Sequence, residues 1–92
     1  MSEARDSIEI VNNRGLHARA SAKFVNAVAK LGDGLSVRVC KDGADAAGGS
    51  ILGLMMLGAA KGDTIEIIVA GEGAETALCK LRGLVKDGFG ED

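Results

Sequence analysis

The sequence predicts an α+β fold: an open-faced two-layer β-sandwich in the order β-α-β-β-α-β-α, with a four-stranded, mainly antiparallel sheet and three helices on one face. Two patterns support it: four short segments are typical of strands, and two longer segments carry apolar residues at helical spacing, with a short apolar helix between them. Three helices of these lengths can cover only one face of such a sheet. With 92 residues, 47% of them apolar, the chain forms one domain over residues 1–92.

The first strand and the first helix are separated by a polar loop. We predict the strand over Ser7–Val11, where isoleucines alternate with a carboxylate. Residues 12–15 form the loop, and Ala18–Leu31 carries apolar residues at helical spacing among alanines. The glycine-rich segment 32–34 ends this helix.

The remaining strands follow the same alternation. Leu35–Cys40 and the weaker Ala44–Ala47 flank a turn at 41–43, which indicates a hairpin. Thr64–Ala70 is the most strongly apolar of the four segments, so we expect it to be central in the sheet.

Two further helices are predicted in the second half of the chain. Ser50 is a typical N-cap for a short helix over Ile51–Leu57, which Gly58 closes. The last helix, from Ala74 to Val85, has apolar residues at the i, i+3, i+4, i+7 spacing of an amphipathic helix.

Composition excludes several functional classes. The chain has 2 aromatic residues and a net charge of -2, which argues against nucleic-acid binding by base stacking. One histidine and no paired cysteines make a metal site improbable. Neither a signal peptide nor a long apolar run is present, so we expect a cytoplasmic protein with Cys40 and Cys79 as reduced thiols.

One basic segment stands out in this acidic chain. Residues 10–32 contain four basic residues and no acid, and the only histidine lies among them. A basic stretch is often only a solvated helix face. The position of His17, at the junction of the first loop and the first helix, offers a second interpretation.

His17 is the expected N-cap of the first helix. Backbone N–H groups at a helix start have no intrahelical partner and lie at the positive end of the helix dipole, so an anion such as a phosphoryl group is favoured there. The same field disfavours imidazolium and keeps the ring nucleophilic. Arg19, in the first turn, could bind phosphoryl oxygens. From spacing alone, a capping or solvated histidine is the commoner case.

The short helix is unusually apolar. With Leu54 and Leu57 toward the sheet, Ile51, Leu52 and Met55 remain partly outside. Exposed apolar residues of this kind indicate a docking surface, although they could also fill a core poor in aromatic residues.

Two motifs resemble a known family. The segment "GLHARAS" (15–21), followed by "AKFV", resembles the active-site segment of the phosphocarrier protein HPr family of the bacterial phosphoenolpyruvate-dependent phosphotransferase system, which includes HPr and its nitrogen-branch paralogue NPr. The segment "GGSILGLMMLGAAKGDTIEI" (48–67) resembles the family's regulatory-serine helix and the strand after it. Together with the strand order, the resemblance covers nearly the whole chain.

The resemblance implies a monomeric phosphoryl carrier without a cofactor rather than an enzyme. His17 would accept phosphate on Nδ1 from phosphorylated enzyme I and pass it to IIA proteins, with Arg19 stabilising the phosphoryl group. Ala20, Lys23, Ile51, Leu52 and Met55 would contact partners. Ser50 would be the target of an HPr kinase/phosphorylase, although capping alone also explains a serine there.

Three questions stay open. Ala20 stands where many family members have proline, a change that keeps the helix and concerns only the fine tuning of the site. The alternative function is a small-molecule-sensing regulatory domain of the ferredoxin-like kind, which needs no histidine nucleophile. Sugar uptake and nitrogen-related regulation fit the motifs equally well.

Overall fold

The computed structural model describes residues 2–91. The strands and helices in chain order are β1 (Glu3–Glu9), α1 (Ala18–Ala29), β2 (Ser36–Lys41), β3 (Ala44–Ala47), α2 (Ile51–Met56), β4 (Thr64–Ala70) and α3 (Ala74–Lys86), followed by a 3-10 turn over Gly88–Gly90. This order is the predicted one. Within residues 2–91, no helix is long and apolar enough to cross a membrane.

The strands form one antiparallel sheet in the order β1-β4-β2-β3. The predicted central position of β4 is therefore confirmed, since β1 and β2 pair with its two edges. Val69 lies opposite Ala4 on one side and Val37 on the other, and all three are buried. Such rows of inward side chains give the sheet one apolar face, which the helices cover.

The first strand begins earlier than the sequence predicts. The expected strand was Ser7–Val11, whereas β1 spans Glu3–Glu9 and pairs over its whole length with β4. The alternation of apolar and polar residues is interrupted at Asp6. This charged residue occupies an inward-facing position between Ala4 and Ile8. Its Oδ2 accepts a 2.7 Å hydrogen bond from Nη1 of Arg82 on α3, which compensates for the polar residue on this face.

The core between sheet and helices is aliphatic apart from Phe24 and Phe89. Phe24 and Ala20 on α1, Leu54 on α2, and Leu81 and Val85 on α3 are each at most 1% exposed. In the described part of the chain, no helix covers the opposite sheet face, which carries ion pairs of Arg5 with Glu3 and of Arg38 with Asp45. The two layers agree with the predicted open-faced sandwich.

Candidate functional site

The loop before α1 is shaped by hydrogen bonds and by one close backbone approach. The Gly15 amide donates to the Asn12 carbonyl at 3.2 Å, and Asn12 Nδ2 donates to the Gly15 carbonyl at 2.8 Å. The Leu16 amide donates to the Ala59 carbonyl at 2.9 Å. Gly15 has a φ of +63°, and a Cβ there would lie 2.3 Å from the Ala59 oxygen, so only glycine fits.

This loop delivers His17 to the start of α1. His17 is the N-cap residue, as predicted, with extended backbone angles, and its carbonyl accepts the first helical hydrogen bond from the Ser21 amide at 2.9 Å. Its side chain makes no capping hydrogen bond and is 21% exposed. The imidazole is therefore held beside the positive end of α1 without occupying its free N–H groups.

A carboxylate that the sequence analysis missed contacts the imidazole. Glu91 Oε2 lies 2.7 Å from His17 Nε2, and Glu91 Oε1 accepts a 3.1 Å hydrogen bond from Asn12 Nδ2. The turn before it is anchored by Phe89, which is 1% exposed and has a left-handed φ of 58°. Glu91 and His17 are 74 residues apart in sequence, so no local pattern could have paired them.

The local charges keep Glu91 ionised. Burial alone would raise the pKa of this carboxyl group, but the hydrogen bonds from Asn12 and His17 and the charge of Arg19 outweigh it, and the pKa lies below its usual value. The site thus places the negatively charged carboxylate of Glu91 next to Nε2 of the His17 ring. Nδ1 of the same ring has no hydrogen-bond partner among residues 2–91.

Cations surround this pair. Arg14, Arg19 and Lys23 line an open pocket of about 460 Å³ together with Asn13, Gly90 and Glu91. Lys23 Nζ donates to the Phe89 carbonyl at 2.7 Å, which fastens the turn over residues 88–90 to α1. Within the described chain, no side-chain hydrogen bond or ion pair holds the Arg19 guanidinium, so it is available to an incoming anion.

Ala20 does not belong to the exposed surface. The expectation that it contacts partners is wrong for its side chain, because the methyl group is 0% exposed and packs in the core beneath α1. Lys23 and Arg19, by contrast, are exposed on the outer side of the same helix. The solvent-exposed side of α1 near His17 is therefore polar and basic.

Ser50 and α2 are placed as predicted. Ser50 is the N-cap of α2, and its Oγ accepts a 2.9 Å hydrogen bond from the Gly53 amide. Leu54 is fully buried, whereas Ile51, Leu52 and Met55 are exposed by 40%, 68% and 41%. Met56, which we did not single out, is the most exposed of these residues at 78%. It lies four positions after Leu52, and that helical spacing could have identified it.

The two cysteines take no part in this site. Cys40 on β2 is half-buried and Cys79 on α3 is exposed, and both are free thiols. Within residues 2–91, no group of three His, Cys, Asp or Glu side chains could hold a metal ion.

Comparison with known proteins identifies the family. The family model described as "PTS HPr component phosphorylation site" matches residues 4–87. The chain belongs to the HPr phosphocarrier family. It is 44% identical to the phosphocarrier protein HPr of Neisseria meningitidis, with 95% of this chain and 96% of that protein covered.

Other HPr relatives agree in sequence and in fold. The phosphocarrier protein NPr of Escherichia coli is 34% identical, over 96% of this chain and 97% of that protein. A crystal structure of HPr from Thermoanaerobacter tengcongensis superposes with a TM-score of 0.87 at 36% identity, covering 100% of this chain and 99% of that one. The predicted family and the open-faced α+β sandwich are thus confirmed, and the ferredoxin-like alternative finds no support.

Proposed function

We propose that His17 accepts a phosphoryl group on Nδ1 from phosphorylated enzyme I and passes it to IIA proteins. Membership of the HPr family makes the chain a phosphocarrier of the phosphotransferase system; the donor, the acceptors and the residue that carries the phosphate are the proposed part. One observation carries the assignment to His17: its Nδ1 is the ring nitrogen that has no hydrogen-bond partner among residues 2–91, and the ring lies at the positive end of α1.

Arg19 supplies the second half of the site. The exposed guanidinium is not committed to another side chain within residues 2–91, so it can form charge-assisted hydrogen bonds to the phosphoryl oxygens. Its charge adds to that of the helix terminus as negative charge accumulates in the transition state. Arg19 cannot compete as a nucleophile, because a guanidinium stays protonated.

We expect protein partners to bind two adjoining surfaces. The apolar surface of α2 consists of Ile51, Leu52, Met55 and Met56, and the basic surface of α1 includes Arg19 and Lys23. The two helices pack against each other. Apolar side chains at the centre of a small interface contribute most of the affinity, while peripheral cations steer an acidic partner surface into place.

Ser50 is the proposed site of regulation by an ATP-dependent kinase. Ser50 directly precedes Ile51 and Leu52 in the chain, so a phosphate there would place negative charge beside the apolar surface of α2. An acidic partner would be repelled by this charge. Regulation would then act on docking, with the chemistry at His17 unchanged.

The carrier is expected to act as a cytoplasmic monomer that turns over only with protein partners. Its relatives include both HPr and NPr proteins, so the acceptor decides between sugar uptake and nitrogen-related regulation. A phosphotransfer assay against a panel of IIA proteins from the two branches identifies the acceptor. The branch follows from whichever IIA protein is phosphorylated.

The decisive experiment is phosphorylation with purified enzyme I, phosphoenolpyruvate and Mg²⁺. Intact-mass measurement should show one added phosphoryl group, and the adduct should be labile to acid and stable to alkali, as expected for phosphohistidine. Omitting enzyme I is the control. A protein that gained no phosphate under these conditions would contradict the proposed function.

A further inference from the structure

We propose that Glu91 is the positioning residue of the phosphoryl-transfer step: its carboxylate accepts the Nε2–H of His17, which leaves the lone pair on Nδ1 and stabilises the positive ring that forms. The inference deepens the proposed function and rests on it. It arises from the 2.7 Å contact between Glu91 Oε2 and His17 Nε2.

The tautomer follows from the hydrogen bond. A neutral imidazole has one N–H and one lone pair, and the nitrogen that faces an ionised carboxylate carries the hydrogen. The Glu91 carboxyl group is ionised at neutral pH, because its pKa is lowered by its partners. Nε2 is then the donor and Nδ1 the nucleophile, so the ring needs no proton transfer before it attacks.

The charge balance of transfer gives the carboxylate its second role. As the Nδ1 lone pair forms a bond to phosphorus, the bond from phosphorus to the donor breaks and the donor keeps that electron pair. The His17 ring, with its proton still on Nε2, becomes positively charged. In onward transfer the N–P bond breaks, its electrons return to the ring, and neutral imidazole is restored. Glu91 compensates this transient charge from the side of the ring opposite the reaction.

Glu91 is built into the site rather than loosely placed near it. Its side chain is 10% exposed, and its other oxygen is held by Asn12 Nδ2. Asn12 is fully buried and is itself tied to the Gly15 carbonyl, within the loop that carries His17. Lys23 and the buried Phe89 fix the preceding turn. Loop, helix and turn therefore hold the carboxylate and the imidazole in one orientation.

Two variants separate hydrogen bonding from charge. Glu91→Gln keeps an oxygen acceptor of the same length and removes the charge, whereas Glu91→Leu removes both. Asp87→Asn is the matched control, since Asp87 is an exposed carboxylate four residues earlier in the same segment. Each protein is examined by ¹⁵N NMR of the His17 ring, which reports the tautomer, and by the kinetics of transfer from phosphorylated enzyme I.

We expect the unmodified protein, Asp87→Asn and Glu91→Gln to show the Nε2–H tautomer, and Glu91→Leu to show a mixture. The transfer rate should fall about 10-fold in Glu91→Gln and further in Glu91→Leu, with KM for the carrier changed by less than about twofold. A tautomer unchanged in Glu91→Leu, or Glu91→Gln and Glu91→Leu rates equal to that of Asp87→Asn, would overturn the proposal.

The failure of the two proposals can be told apart. If the unmodified protein accepted no phosphoryl group, the proposed function would be wrong, while the NMR measurement would still decide whether Glu91 holds the His17 ring. If the protein accepted phosphate and the Glu91 variants transferred it at the control rate, only the role of Glu91 would be lost.

Discussion

Nη1 of Arg82 lies 2.7 Å from Oδ2 of Asp6, and this ion pair ties the middle of α3 to the edge strand β1. The hydrogen bond from Arg82 lowers the pKa of the Asp6 carboxyl group, and a further hydrogen bond from the Ser7 amide acts in the same direction. The strength of this contact between α3 and β1 should therefore depend on pH.

The contribution of Asp6 to stability should disappear in acid. A folded-state pKa below the unfolded value of about 3.9 stabilises the fold above that pH, and this stabilisation is lost as pH falls through the folded-state pKa. Asp6→Asn should thus be less stable than the unmodified protein at neutral pH, and the difference should be smaller in acid, below the unfolded-state pKa of about 3.9. Urea unfolding at both pH values measures it. Asp33→Asn, at an exposed turn, is the control, and an equal gap at both pH values would contradict the assignment.

His17→Ala should abolish phosphoryl acceptance and leave the fold intact. The side chain makes no capping hydrogen bond and is partly exposed, so little core packing is lost. We expect Tm to fall by about 5 °C or less, with unfolding still cooperative. Intact mass after incubation with enzyme I tests acceptance, and a variant that still gained one acid-labile phosphate would remove His17 from the reaction.

Arg19→Ala should retain the acceptor nitrogen and slow its phosphorylation. Loss of one charged donor to the developing phosphoryl charge typically costs about 100-fold in rate. Rapid-quench single-turnover transfer from phosphorylated enzyme I measures the effect. Lys30→Ala, which removes an exposed cation at the other end of α1, is the control. Equal rates for the two variants would show that Arg19 acts only through long-range charge.

Met55→Asp should weaken transfer more than folding. Met55 is 41% exposed on α2, so a carboxylate there remains solvated in the free protein and becomes buried only against a partner. KM for the carrier should rise by about 10-fold or more while Tm changes little. Thr76→Asp adds the same charge to an exposed position on α3 and should leave KM unaltered. If chemical-shift mapping with enzyme I left Ile51, Leu52 and Met55 undisturbed, the docking surface would lie elsewhere.

Ser50→Asp should block docking without unfolding the protein. The residue caps α2, where an anion is neutral or mildly favourable, so thermal stability should be preserved. KM for the carrier should rise, and the increase should be smaller at high salt, because exposed charges are screened within about 10 Å at 0.1 M. Ser50→Ala separates the cap from the charge: it should lose about 1 kcal/mol of stability and keep normal kinetics. Kinetics of Ser50→Asp equal to those of Ser50→Ala would leave Ser50 with its capping role alone.

Periodicity predicted which elements exist, because most of them have one buried face. The bounds predicted for β3 and β4 agree with the structure, since a glycine-containing turn precedes each strand. Periodicity failed to predict the start of β1. There the charged residue Asp6 occupies an inward-facing position and forms an ion pair with Arg82. A single-sequence pattern cannot anticipate a partner that lies 76 residues away.

The candidate site was predictable only where it is local. The N-cap position of His17 and the capping role of Ser50 follow from residues within one helical turn. Glu91 and the burial of Ala20 depend on tertiary packing: the first requires the turn around Phe89, and the second depends on which side of α1 faces the sheet. Exposure of the α2 surface was predictable, because too many of its residues are apolar for one buried stripe.

The position of β4 between β1 and β2 has a consequence during synthesis. β1 is made well before β4 and cannot pair with it until Thr64–Ala70 has been made. The loop that carries His17 also depends on later residues, because Leu16 donates to the Ala59 carbonyl and His17 contacts Glu91. The β2–β3 hairpin closes only a short loop and can form early, whereas the β1–β4 pairing must close a long one. During synthesis the surroundings of His17 therefore stay incomplete until both β4 and Glu91 have been made.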